Sequence, residues 1–174
     1  MRASWSVPLL LLAVGTISGV AIGATGPVGD DVLKPVSIKF AAQGQAALAR
    51  GDANGAIDAF EAALASDPKN VAAFSGIAQG YEKLGLPGKA VKYYREALAL
   101  NPSDIAALEG QGKALISRGA TARAQVNLAR IKALCKADCA AATRLQTALS
   151  AAATASAEPV KAAAAKPKDA AAQN

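Results

Sequence analysis

Cys135 and Cys139, four positions apart, are the only cysteines in a chain of 174 residues that has no histidine. In an exported protein an even pair at this spacing reads as a structural disulfide, pinning a turn between two helices. Two buried free thiols are the bland alternative. A metal centre would need two further ligands, and neither histidine nor another cysteine exists to supply them. A thioredoxin-type redox pair has two intervening residues, whereas three stand here. The absence of histidine also removes the commonest general base. No nucleophile elbow, phosphate-cradling glycine loop or paired carboxylates in a plausible cleft can be found. The expectation is a protein that is not an enzyme and needs no cofactor.

The elements that position those cysteines follow from composition and period. Apolar residues make up 52% of the chain but aromatics only 4%, so much of the apolar fraction is alanine. Alanine loses no side-chain entropy in a helix, and an all-α fold is expected. A 34-residue period begins at Val36. Gly51, Gly85 and Gly119 share one position in it, and Ala56, Ala90 and Ala124 a second. Phe40, Phe74 and Leu108 share a third, Gly44, Ala78 and Gly112 a fourth, Phe60, Tyr94 and Leu128 a fifth, and Ala63, Ala97 and Ile131 a sixth. Pro68 and Pro102 close the first two units.

Within the central unit, Phe74, Ile77, Ala78, Tyr81 and Leu84 form one helical stripe, and Ala90, Val91, Tyr94, Ala97 and Leu98 a second. Gly85, Leu86 and Pro87 join the two helices. Glycine accepts the positive φ that ends the first, and proline fits the first turn of the next. Asp52, Asn70 and Asp104 are placed to cap helix N-termini.

Phe74, Ala78, Tyr81, Ala90, Tyr94, Ala97 and Pro102 resemble the signature of the tetratricopeptide repeat family. The first unit repeats it with Phe40, Gly44, Ala56, Phe60, Ala63 and Pro68, but has Ala47 in place of Tyr81. The third has Leu108, Gly112, Ala124 and Leu128, with Ile131 for the alanine and no closing proline. The resemblance implies three helix–turn–helix units, about 37–70, 71–104 and 105–138, in a right-handed superhelical array. A capping helix, 139–153, would complete a domain over 36–153. It also implies that a peptide or helix of a partner protein lies on the inner face. The residues facing it would be Ala41, Gln45 and Leu48, then Ser75, Gln79, Glu82 and Lys83, then Glu109, Lys113 and Ile116. The lysine–asparagine set with which some members clamp a terminal carboxylate is missing. The bland reading of each residue is a solvated helix face.

The ends of the chain carry different signals. Residues 1–24 have one positive charge, Arg2, then an apolar run and small residues, the layout of a secretory signal. The uncharged run from Ala3 to Gly29 is also long enough for a membrane anchor. Residues 25–35 form a linker broken by glycine and proline. Asp138 can cap the last helix, in which Leu145, Leu149 and Ala152 form a stripe. Residues 154–174 are a low-complexity Ala/Lys/Pro tail without enough apolar surface to order itself. The net charge is +6, with a basic third unit and cap set against an acidic first unit. Nucleic acid is not the expected partner, because no aromatics interleave with the arginines. The leading expectation is an exported, periplasmic scaffold holding a segment of an envelope protein. The alternative is a membrane-anchored tether whose basic tail meets an anionic surface.

Overall fold

The computed structural model describes residues 32–135 and 139–164. The signal or anchor, most of the linker, Asp138 and the end of the tail lie outside the described residues. Within them are seven helices and no strand: α1 (Pro35–Ala49), α2 (Ala53–Ser66), α3 (Val71–Lys83), α4 (Pro87–Leu100), α5 (Ile105–Ser117), α6 (Thr121–Leu134) and α7 (Ala140–Ala164). None of them is long and apolar enough to cross a membrane.

Local chemistry sets the turns. Gly51, Gly85 and Gly119 end the first helix of each unit at φ of 81°, 69° and 74°, a conformation with a steric cost for any side chain. The carboxylate of Asp52 accepts from Gly55 N at 2.9 Å. Asn70 and Asp104 do the same for Ala73 N and Ala107 N, at 3.1 and 3.0 Å. Pro87 opens α4, where its missing N–H leaves no bond unmade. Pro35 likewise opens α1, so the linker ends one residue earlier than expected.

One matched pair of positions governs how the units stack. Phe60 of α2 fills the space left by two glycines, Gly44 of its own unit and Gly76 of the next. A Cβ at Gly44 would stand 2.8 Å from the ring, and one at Gly76 closer still. Tyr94 of α4 is packed in the same way against Gly110 of α5. A large ring at this place therefore demands glycine in the following unit. The third unit has the smaller Leu128, and the residue 34 positions after Gly110 is Arg144. The vacated space over Gly112 is filled from α7, with Leu145 2.7 Å from where a Cβ would be.

Helix α7 continues the register of the first helices. Ala73, Ala107 and Ala141 are all buried at one position, and Ile77, Gln111 and Leu145 at another. Gln111 is a buried polar residue in an apolar row. Its Oε1 accepts from Asn127 Nδ2 at 2.9 Å, and the same amide donates to Leu108 O at 3.2 Å. This bond satisfies the buried amide and ties α5 to α6. A second polar cluster closes the start of the array. Asn70 Nδ2 donates to Ser37 Oγ, which donates to Ala63 O, both at 2.8 Å.

Two expectations need correction. Leu84 is exposed rather than part of the α3 stripe, because it is the C-cap residue and has left the helical face. The cap does not stop at Ala153: α7 runs on to Ala164, through the first part of the expected tail. Its alanines favour helix even where few apolar neighbours are available.

Candidate partner-binding face

The first helices touch one another in sequence, α1 to α3, α3 to α5 and α5 to α7. Among the described residues the second helices make no such direct contacts. The array is therefore shorter along its first helices and curves with them on the inside. The inner face is built from α1, α3, α5 and α7.

The expected inner-face residues divide into two groups. Gln45 and Lys83 are exposed, and Gln79 is half-buried. Leu48 is buried in the first core cluster, and Ala41 packs at its edge. Ser75 is half-buried, and its Oγ is a buried hydroxyl with no hydrogen-bond partner among the described residues. Glu82 is half-buried and accepts a 3.0 Å bond from the Tyr94 hydroxyl. Burial raises the Glu82 pKa, opposed by that bond and by the charge of Lys113. Burial, with the Glu82 carboxylate close by, raises the Tyr94 hydroxyl too.

Glu109 is not open to a ligand. Its side chain is only 9% exposed, and both oxygens are engaged. Arg144 donates from Nε to Oε1 at 2.7 Å and from Nη2 to Oε2 at 2.5 Å, while Lys113 Nζ donates to Oε1 at 2.5 Å. The Arg144 bonds hold the Glu109 carboxyl below the usual range against the cost of burial, with Lys113 adding to the effect. Arg144 was not singled out from the sequence as an inner-face residue. The signal that could have found it is the 34-residue offset from Gly110, which extends the inner face into α7.

The cysteines lie at the junction of α6 and α7. Cys135 caps α6 and Cys139 immediately precedes α7, both packed against the core. Their Cα atoms are 5.9 Å apart, inside the range a disulfide spans, and their sulfurs are in contact.

Paired antiparallel helices, repeated in one register with the first helices inside, define a helical-repeat protein. The sequence profile of the tetratricopeptide repeat family matches residues 41–105 and 75–130, together just over half of the 174 residues. The chain belongs to the tetratricopeptide repeat family. A search of the curated proteins gave no match. Among solved structures, the chain is similar to the TPR domain of Sgt2 from Aspergillus fumigatus, at 25% identity and a TM-score of 0.64, over 81% of this chain and 91% of that one. It is similar to the first TPR domain of human RPAP3 at 22% identity and a TM-score of 0.61, over 68% and 96%. The first TPR of Spaghetti (RPAP3) bound to the HSP90 peptide SRMEEVD matches at 23% identity and a TM-score of 0.62, over 68% and 94%.

Proposed function

We propose that this protein is a non-enzymatic scaffold of the cell envelope whose inner face holds an extended segment of a partner protein. The observation that carries the reading is the row of polar side chains, Gln45, Gln79, Lys83 and Lys113, on the face where the first helices meet. Amides and ammonium groups on rigid helices can bond a peptide backbone without reorganising. Peptide binding by the structurally similar first TPR of Spaghetti supports the same use of the face. The envelope location rests on the basic, apolar and small-residue layout of residues 1–24.

The test is site-specific photocrosslinking in intact cells. A crosslinker at Gln79 or Lys83 should capture a partner that one at Lys92 or Arg123, on second helices, does not. Equal capture from both sets would reject the inner face as the binding surface. Sequencing the N-terminus of the purified protein tests export: a start near Ala24 to Gly26 supports a cleaved signal, and an intact Met1 or Arg2 supports the tether.

A further inference from the structure

The outward ridge of α6 differs from those of the other two second helices. Helix α2 presents Asp58 and Glu61 there, and α4 presents Lys92 and Arg95 at the same places in the 34-residue period, all four exposed. In α6 these places hold Val126 and Ala129, also exposed. Val126 is 60% exposed, and Leu134, at the end of the same helix, 40%. The fold accepts a charge of either sign at the place of Val126, so nothing in the packing calls for an apolar residue there.

The charges of α6 stand beside that ridge rather than on it. Helical spacing puts Arg123 and Arg130 along one side and Lys132 along the other. Their bonds agree. Arg130 Nη2 donates to Pro102 O at 2.8 Å, towards the preceding unit, and Lys132 Nζ donates to Gln146 Oε1 at 3.2 Å, towards α7. All three cations are exposed, and α6 has no acidic residue. Among the described residues no carboxylate pairs with any of them. Their long apolar stems let the charged ends reach the same plane that the ridge would touch.

We propose that the outer face of α6 docks on an anionic lipid surface, with Val126 and Ala129 against the headgroup boundary and Arg123, Arg130 and Lys132 on the headgroup anions. An apolar centre with basic flanks is the make-up of helices that lie in a membrane interface. Charge selects the occupant, since three cations without a neighbouring acid meet an anionic plane at no cost in repulsion. Shape selects a plane over a protein groove. Protein interfaces concentrate their energy in large anchors seated in pockets, whereas α6 is a convex ridge without an aromatic residue. This face lies on the outside of the array, and the assignment does not depend on peptide binding at the inner face.

The experiment uses the full chain with the photocrosslinking residue benzoylphenylalanine at Ala129 or, as the reference, at Glu61, the same place on α2. Each protein is irradiated with vesicles of phosphatidylcholine alone or mixed with phosphatidylglycerol, and lipid adducts are read by mass. The apolar run of residues 1–24 can partition into either vesicle, so only position-specific adducts count. Ala129 should form adducts with the mixed vesicles, fewer as salt is added, and few with phosphatidylcholine alone. Glu61 should form few with either. At limiting lipid, Arg123→Gln and Lys132→Gln should each lower the Ala129 yield about fivefold. Val126→Asp should remove most of it while leaving thermal melting unchanged, since Asp58 holds that place in α2. Equal yields at Ala129 and Glu61, equal yields on the two vesicles, or yields unmoved by the substitutions overturn the proposal. So do adducts between two copies of the chain in place of lipid adducts, or adducts to soluble polyglutamate in equal yield, which would assign the face to an acidic polypeptide.

Discussion

Arg144 and Glu109 meet across 35 residues of sequence through two hydrogen bonds, from Nε at 2.7 Å and Nη2 at 2.5 Å. The pair joins α5 to α7 at a place where the two preceding unit junctions have glycine, Gly76 and Gly110. It is a side-chain tie at the position where those two junctions have a ring packed close against the backbone. Replacing Glu109 with Gln leaves two cations facing each other beside a neutral amide. With both bases half in solvent, the cost should be about 1–2 kcal/mol, read as a fall in the chemical denaturation midpoint.

Acid should act on two inner-face glutamates in opposite directions. Glu109 has a lowered folded pKa, so its contribution is fully present above the ordinary value of 4.5 and is lost as pH falls towards the folded value. Asp67, lowered by the backbone N–H groups of Lys34 and Lys69, behaves the same way. Glu82 has a raised folded pKa, so the folded state gains as pH falls through that raised value towards 4.5. Stability measured downward from neutral pH should therefore hold or rise slightly before it drops. In Glu82→Gln the rise should vanish while the drop remains. A drop that also vanished would show that the assignment of these groups is wrong.

The pairing of ring and glycine makes a double-mutant prediction. Gly110→Ala gains up to about 1 kcal/mol of helix propensity but forces a methyl into the Tyr94 ring, and overpacking of this kind costs about 1–3 kcal/mol. The net effect should be destabilising. In a Tyr94→Leu background, which reproduces the Leu128 arrangement, the same change should become neutral or stabilising. The coupling energy should be at least about 1 kcal/mol. Simple additivity in thermal or urea unfolding would contradict the packing rule.

Asn127→Ala should cost about 2 kcal/mol, because Leu108 O and the Gln111 amide lose a buried partner. Adding Gln111→Ile should recover part of that loss. Ile77 already fills the same position of the preceding unit and is fully buried. Failure of the second change to help would show that the amide pair does more than satisfy itself.

The cysteine pair should be oxidised in protein recovered from an oxidising compartment. The denatured chain should then show no free thiol, and two titratable thiols would reject the disulfide. The loop closed is short, so removing the link through Cys135→Ser with Cys139→Ser should lower stability by about 2 kcal/mol, with the loss concentrated in α7 by hydrogen exchange.

The turns of this fold were legible because their causes are local. A glycine past each first helix, an acid or amide before the next, and a proline at a helix start each act within four residues, and Gly85, Asp104 and Pro87 sit as their chemistry requires. The apolar rows were legible because burial repeats every 34 residues, as at Ala56, Ala90 and Ala124. The state of Glu109 was not. On its own helix it looks like a solvated residue beside Lys113, and its burial depends on an arginine in a segment with none of the family's aromatic landmarks. The register of α7 is written only in Ala141, Leu145 and Leu149, small or ordinary residues that mark a stripe but not its alignment. Ser75 reads as a ligand contact from its place on the first helix, yet its hydroxyl is enclosed, and burial of a single small side chain leaves no mark in the 34-residue pattern.

The match between ring and glycine also fixes where the gene could lengthen. A tandem copy of residues 71–104 spliced after Asp104 would set Tyr94 against a duplicate of Gly76, and the new junction would fit. The same copy spliced after the third unit would set Leu128 against a glycine that expects a ring. It would leave an unfilled hole and discard Arg144 from its place beside Glu109. Growth by duplication is open in the middle of this chain and closed at its end.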